Sequence, residues 1–277
     1  MKSRKRCLPP GWYPFSPGET EAEIRRMEEG LPSTPAAFAP AVVAPHAGWA
    51  MSGRLALKAL RQLDEEVETV VVVGGHLASG DGILAASEAG YDTPLGVIPA
   101  DNHLLDILEE LLPVQVDTHP DNTVEIQLPL LRYLFPEASA LWLRASPDRS
   151  ARELGKALAG AAARANRRIA VVGSTDLTHY GPAYGFTPAG RGEQALSWSR
   201  RNDRALIDCL LGMDWEGALD HARRTGSACS VGGAVAALTY AGSLGVKKGE
   251  LLEYATSHQV HPSENFVGYA AIAYRRS

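Results

Sequence analysis

Short runs of β-branched residues alternate along this chain with longer segments of helical periodicity, and this alternation constrains the fold more than any other feature. Apolar runs bounded by turn residues predict strands, whereas apolar residues that recur every three to four positions predict helices. Strands crossed over by helices are typical of an α/β fold with a largely parallel or mixed central sheet. We therefore predict one domain, residues 1–277, with helices flanking such a sheet.

The positions of these elements follow from the same pattern. The predicted strands are residues 41–44, 67–73, 82–86, 140–143, 168–172 and 266–274. The predicted helices are residues 51–63, 102–111, 125–134, 150–165, 193–211 and 231–243. The chain has no internal repeat and no low-complexity tract, so one domain is the simpler prediction.

Composition limits the classes of partner. The chain is 45% hydrophobic and 21% charged, which is typical of globular proteins. A net charge of -5 offers no basic surface, so neither nucleic acid nor a membrane is expected as a partner. No apolar run approaches the roughly 20 residues that cross a bilayer, and no secretory signal is expected. The basic cluster Lys2, Arg4, Lys5 and Arg6 is expected to be a solvated tail.

Cysteine usage indicates the compartment. The three cysteines, Cys7, Cys209 and Cys229, are an odd number at wide spacing and do not suggest a disulfide framework. Free thiols fit a reducing environment, so we expect a cytoplasmic protein.

Polar side chains follow three predicted strands at the point where each strand ends. His46 closes AVVAPH, His76 closes VETVVVVGGH, and Asp176 and His179 follow the strand in AVVGSTDLTHYG. Because the carboxyl ends of parallel strands line the ligand crevice of an open α/β sheet, we expect these residues to converge on one site. A single histidine after a strand is as often structural, so the argument depends on the recurrence. By contrast, His258 and His261 precede the last predicted strand, where a solvated loop is the first expectation and a place at the rim of the site is the alternative.

Cys229 lies just before the predicted helix 231–243. The amino end of a helix favours a thiolate, which binds a metal or attacks an electrophile. Two imidazoles and one anionic ligand are typical of non-haem iron centres, and a thiolate as the third ligand makes copper or zinc competitive with iron(II). We expect His179 to act as an acid/base, with Asp176 fixing its tautomer.

Two other classes of function fit the same residues. One is a non-catalytic metal- or ligand-binding module. The other is a hydrolase that uses zinc, or that uses Cys229 as a nucleophile with His179. The absence of a HExxH helix excludes only one class of zinc enzyme.

Five segments together resemble the Memo family, also labelled AmmeMemoRadiSam system protein B, which is similar in fold to the class III extradiol ring-cleaving dioxygenases. The likeness runs nearly end to end. The segments are GWYP at 11–14, APHAGW at 44–49, DNTVEIQLPLL at 121–131, STDLTHY at 174–180 and VGYAAIAY at 267–274.

The resemblance implies that His46, His76 and Cys229 are the metal-site residues, with Asp176 and His179 beside them. It also implies a mononuclear site, with iron(II) as the first choice and copper or zinc as alternatives. The expected activity is oxygen-dependent redox chemistry on a small molecule, for which aromatic compounds are the precedent.

This chain departs from the family pattern next to the site. Asn122 stands where the family usually has a histidine, and a neutral amide cannot shuttle protons as an imidazole can. We expect Asn122 and Glu125 to contact substrate. Trp49 and Tyr180 are expected either to wall the pocket or to pack in the core. The sequence leaves the substrate and the oligomeric state open.

Overall fold

The computed structural model describes residues 2–32 and 37–276 of the chain. Its strands are β1 (Ala41–Ala44), β2 (Thr69–Gly74), β3 (Ile83–Ala85), β4 (Gly90–Thr93), β5 (Gly96–Pro99), β6 (Gln115–Val116), β7 (Ser139–Ala145), β8 (Ile169–Ser174), β9 (His179–Tyr180), β10 (Glu250–Thr256) and β11 (Phe266–Tyr274). Its helices are α1 (Pro17–Glu28), α2 (Arg54–Leu60), α3 (Asn102–Leu111), α4 (Asn122–Glu125), α5 (Leu128–Leu134), α6 (Arg149–Ala165), α7 (Gly192–Leu211), α8 (Trp215–Thr225), α9 (Val231–Ser243) and α10 (Ser257–Val260). A π-helical turn, Trp49–Gly53, precedes α2, and a 3-10 turn, Pro182–Tyr184, follows β9.

One mixed sheet organises the chain, with strand order β10-β11-β1-β8-β2-β7-β3-β6 and β9 paired to β11. Its centre, β1-β8-β2-β7, is parallel. Strands β11 and β3 flank this centre in antiparallel pairs with β1 and β7, and β10 pairs antiparallel with β11 at the edge. The fold-class prediction is therefore confirmed: a mixed, largely parallel sheet flanked by helices.

Alternate residues of the central strands pack against two helical layers. Val43 and Val71 lie in one core with residues of α3, α6 and α9. Val42 and Val72 lie in a second core with residues of α1, α2 and α5. Because strand side chains alternate between faces, a strand covered on both sides is apolar at every position. This explains the continuous apolar runs in the sequence.

Several element bounds agree with the prediction, and the differences have local causes. Strands 41–44 and 266–274 and helices 102–111 and 231–243 have the predicted bounds. The predicted helix 125–134 corresponds to α5, which begins three residues later than predicted, and α4 lies before it and overlaps the prediction only at Glu125. Pro129 near the start of α5 cannot continue a preceding helix, so the two helices are separate. Strand β10 is an edge strand with half-exposed side chains, and so it has no unbroken apolar run.

The basic amino-terminal cluster is not wholly a solvated tail. The Arg4 guanidinium donates to the carbonyl oxygen of Asp117 over 2.7 Å. It also lies 4.4 Å from the ring centroid of Trp142, a cation–π contact. The expectation of a solvated tail was wrong for Arg4, because backbone carbonyls and an aromatic face bind its side chain.

Within residues 2–32 and 37–276, no helix is both long enough and apolar enough to cross a membrane.

Candidate metal centre

The topology brings the predicted ligands together. Strand β8 lies between β1 and β2, and all three are parallel, so the loops after them leave the same edge of the sheet. His46 follows β1 and His76 follows β2. One ligand atom from each of His46, His76 and Cys229 lies within 4.8 Å of the others. The three side chains are thus close enough to share one ion.

Close contacts within this trio define its geometry. The Sγ atom of Cys229 lies 3.1 Å from Nε2 of His46. The rings of His46 and His76 meet edge to face, with centroids 5.2 Å apart and planes at 84°. The Cys229 backbone N–H donates to the carbonyl oxygen of Asp176 over 3.3 Å, which joins the cysteine loop to the end of β8.

Glycines let α9 carry Cys229 to the strand ends. A Cβ on Gly233 would lie 2.2 Å from the carbonyl oxygen of Val73, and one on Gly232 would lie 2.4 Å from that of Ala145. Both distances are shorter than any real contact, so only glycine permits this approach of helix to sheet. The VGG sequence after Cys229 and Ser230 therefore has a packing reason.

Burial, hydrogen bonds and neighbouring charges together set the pKa values of the trio. Burial tends to raise the pKa of the Cys229 thiol, but the His46 charge and hydrogen bonds with both imidazoles hold that pKa well below its usual range. Burial lowers the pKa of His46, yet the charges of Asp176 and Cys229 outweigh it and raise that pKa to about 9. A hydrogen bond with Asp121, followed by one with Cys229, raises the pKa of His76 to about 10. The attraction among the three groups therefore favours the thiolate form of Cys229.

Asp176 and His179 both lie at the site, but they do not pair as expected. The Asp176 Oδ1 atom accepts the backbone N–H of His46 over 2.7 Å, and its Oδ2 atom lies 3.9 Å from Nε2 of His46. His179 instead has Nδ1 3.1 Å from the carbonyl oxygen of Leu177. A carbonyl only accepts, so this contact places the proton on Nδ1. The Leu177 carbonyl, rather than Asp176, fixes the His179 tautomer.

A cavity of about 460 Å³ opens next to the trio. His46, His76, Asp176, His179 and Asn122 form the wall nearest the trio. The other walls are formed by aromatic, polar and small side chains from distant parts of the chain: Trp12, Ala47, Gly48, Met51, Tyr184, Ser257, His261, Ser263, Asn265, Val267 and Tyr269. The amide of Asn122 also donates to the carbonyl oxygen of His46 over 3.4 Å.

Glu125 does not line this cavity; it ties down the amino-terminal segment. Its carboxylate accepts the backbone N–H groups of Cys7, over 2.9 Å, and Leu8, over 3.0 Å. It also accepts the Tyr13 hydroxyl over 2.8 Å. With these donors around it, the carboxylate is turned away from any cavity ligand.

Trp49 and Tyr180 also lie outside the cavity lining, and both are core residues. The Trp49 indole N–H donates to the carbonyl oxygen of Ile126 over 3.2 Å. Tyr180 is 1% exposed and stacks on Phe266, with ring centroids 5.0 Å apart. Of the two roles that the sequence allowed for them, the structure places both in the core.

Sequence reasoning missed two groups of site residues. Asp121 lies 3.2 Å from Nδ1 of His76. The sequence feature that could have identified it is its position directly before Asn122. Trp12 and Tyr269 line the cavity, and so does His261, which lies in an exposed loop at the cavity rim. Trp12 and Tyr269 lie in the segments GWYP and VGYAAIAY, but their approach to the cavity depends on long-range packing that these segments alone do not reveal.

Fold and site together define an α/β protein with a candidate mononuclear metal centre at the carboxyl edge of its parallel strands. The model of the Memo-like protein family matches residues 5–273. The chain belongs to this family.

Relatives from several organisms align with most of the chain. A MEMO1 family protein of Methanopyrus kandleri is 33% identical over 286 residues, which covers 96% of each chain. One from Methanosarcina barkeri is 31% identical over 94% of this chain and 96% of its own. One from Thermococcus onnurineus is 31% identical over 84% of this chain and 86% of its own.

Proposed function

We propose that this protein binds one metal ion through His46, His76 and Cys229 and uses it in oxygen-dependent redox chemistry on a small molecule. The observation that carries the proposal is the approach of their three ligand atoms to within 4.8 Å. Two imidazoles and a thiolate are borderline-soft donors that suit iron(II), copper and zinc. Iron(II) is our first choice, with copper and zinc as alternatives.

The metal would supply Lewis-acid activation of an oxygen substituent and, as iron or copper, redox chemistry with dioxygen. The chain supplies the proton handling. With its proton held on Nδ1 by the Leu177 carbonyl, His179 has Nε2 as the nitrogen that accepts a proton from a molecule in the cavity. Asn122 contributes an amide that orients such a molecule through hydrogen bonds but does not transfer its proton.

The cavity favours a small molecule with an aromatic ring. Its volume of about 460 Å³ lies within the usual range of small-molecule sites. Trp12, Tyr184 and Tyr269 offer aromatic walls.

Oxygen uptake by iron-loaded protein, with catechol as the probe, tests the proposal. His179→Gln should lower the uptake rate by about 100-fold or more, because general acid/base catalysis contributes that much, while the iron content stays unchanged. His103→Gln is the control, since His103 is exposed on α3. Undiminished uptake in His179→Gln would contradict the role of His179. Iron-loaded wild type that consumes no oxygen would favour the binding-module alternative.

A second candidate is a metal-free cysteine nucleophile. It is favoured by the 3.1 Å contact between Cys229 Sγ and His46 Nε2, which pairs the thiolate with His46 rather than with the expected His179. Two results would support this candidate against the first. Iodoacetamide would alkylate Cys229 rapidly in metal-free protein, and substrate turnover would persist without metal. Protection of Cys229 by bound metal, and turnover that requires the metal, would exclude it.

We also propose a cytoplasmic location. Cys7, Cys209 and Cys229 are all free thiols, as expected in a reducing compartment. No interaction with nucleic acid or membrane is proposed, because the negative net charge favours neither.

A further inference from the structure

We propose that Asp121, held by a buried ionic network with Arg144 and Asp117, is a positioning residue that fixes the ring of His76 for metal binding. This inference rests on the proposed function, because it presupposes a metal ion at His76. It adds three residues that the sequence reasoning did not assign to the site.

The two oxygens of Asp121 have separate roles. Oδ1 accepts the backbone N–H of Thr123 over 2.9 Å and so caps the amino end of α4. Oδ2 lies 3.2 Å from Nδ1 of His76. With Nδ1 bound to a carboxylate, Nε2 is the ring nitrogen left to bind a metal. Histidine ligands commonly donate their second N–H to such a carboxylate, which fixes both the tautomer and the ring orientation.

Arg144 contacts both the Asp121 carboxylate and the backbone of Gly75, the residue before His76. Its Nη1 atom lies 3.4 Å from Asp121 Oδ2 and donates to the carbonyl oxygen of Gly75 over 3.3 Å. Its Nε and Nη2 atoms donate to the two oxygens of Asp117, each over 2.8 Å. A bidentate pair of this kind fixes the plane of the guanidinium. All three charged side chains are buried, so the network is shielded from water.

The backbone at His76 also depends on its surroundings. His76 has a φ of 56°, in the left-handed region that residues other than glycine rarely adopt. The Gly75 N–H donates to Thr123 Oγ1 over 3.2 Å. A Cβ atom added to Gly75 would lie 2.6 Å from the Cβ atom of Ser230. The turn is thus held between α4 and the start of α9.

The rings of His46 and His76 are held in place by different contacts. The His46 side chain is 2% exposed, so close packing restricts its ring. Its Nδ1 lies 3.4 Å from Ser174 Oγ, a neutral partner that accepts from Gln127 over 3.1 Å. The His76 side chain is 37% exposed and so depends more on a specific contact. That contact is the Asp121 carboxylate.

Cobalt(II) titration of metal-free protein, followed by the thiolate-to-cobalt absorption band, tests this role. Asp121→Asn keeps the shape of the side chain and an oxygen for the α4 cap, but it removes the charge that faces His76. We expect its cobalt Kd to rise about 10- to 100-fold, as for other carboxylate partners of histidine ligands. Asp148→Asn is the matched control, because Asp148 likewise caps a helix, α6, by accepting the Ser150 N–H over 2.8 Å, and it lies outside the network. Its Kd should stay within about twofold of wild type.

The outcomes separate this inference from the proposed function. Equal cobalt Kd values for wild type and Asp121→Asn would overturn the positioning role alone. Wild type that binds neither cobalt nor zinc would refute the metal site and this role with it. Urea unfolding of the metal-free variants shows whether each one folds.

Nitrogen-15 NMR of the zinc-loaded wild type provides a second test that needs no variant. The inference predicts a proton on Nδ1 of His76 and zinc on Nε2. Zinc on Nδ1 would overturn it.

Discussion

Carboxylates around the cavity have roles that are set by their partners rather than by their residue type. Asp176 accepts the backbone N–H of His46, whereas Asp121 faces the ring of His76. Glu125 faces the amino-terminal segment instead. The sequence predicted that Asp176 would orient His179 and that Glu125 would contact substrate, but the structure gives both carboxylates other partners. Partners such as Cys7 and Leu8 are far away along the chain, so the local sequence does not reveal them.

Asp203 supports the His179 segment from α7, and its ionisation affects stability. Its Oδ1 atom accepts the Thr178 N–H over 3.0 Å, and its Oδ2 atom accepts the Tyr254 hydroxyl over 2.7 Å. Burial raises the pKa of Asp203 to about 6, although these hydrogen bonds oppose the rise. The ordinary pKa of an aspartate in an unfolded chain is about 3.9.

The sign of the pH effect follows from these two pKa values. Between about pH 4 and pH 6 the native state holds a proton that the unfolded state has lost, so the free energy of unfolding falls as pH rises. Relative to Asp203→Asn, which stays neutral, wild type should lose about 2–3 kcal/mol across this window. Urea unfolding of both proteins from pH 4 to pH 7 measures the difference. Parallel stability curves would contradict the prediction.

At the scale of elements, the site depends on the fit of α9 against the ends of β2 and β8. The predicted helix 231–243 agreed in both bounds, because its apolar sequence is clear. The sequence does not show why this helix begins with VGG, because the need for glycine arises only where Gly233 meets the Val73 carbonyl. Helix position could therefore be predicted from the sequence, but not the closeness of its approach to the sheet.

Two glycines of α9 provide a matched test of that fit. Gly233→Ala places a Cβ 2.2 Å from the Val73 carbonyl oxygen and should destabilise the protein by about 1–3 kcal/mol through overpacking. Gly242→Ala meets only the end of the Met213 side chain, at 3.5 Å, and should be neutral or stabilising by up to about 1 kcal/mol. Urea unfolding compares them, and equal effects would contradict the packing account.

At the scale of the whole molecule, both ends of the chain complete the cavity. Trp12 comes from the amino-terminal segment, and Val267 and Tyr269 come from β11. The His46 and His76 positions could be predicted, because the strand pattern places both at one edge of the sheet. The aromatic walls could not, because they depend on how distant segments pack and not on any local pattern.

Metal content is the measurement that tests the central claim most directly. Protein purified without oxygen and without an affinity metal column should contain close to one equivalent of iron or copper, and His46→Ala and Cys229→Ala should both lose it. His103→Ala and Cys209→Ala are matched controls outside the trio and should retain it. Wild type that remains metal-free after reconstitution with iron, copper and zinc would contradict the account, as would variants of His46 and Cys229 that retain the full metal content.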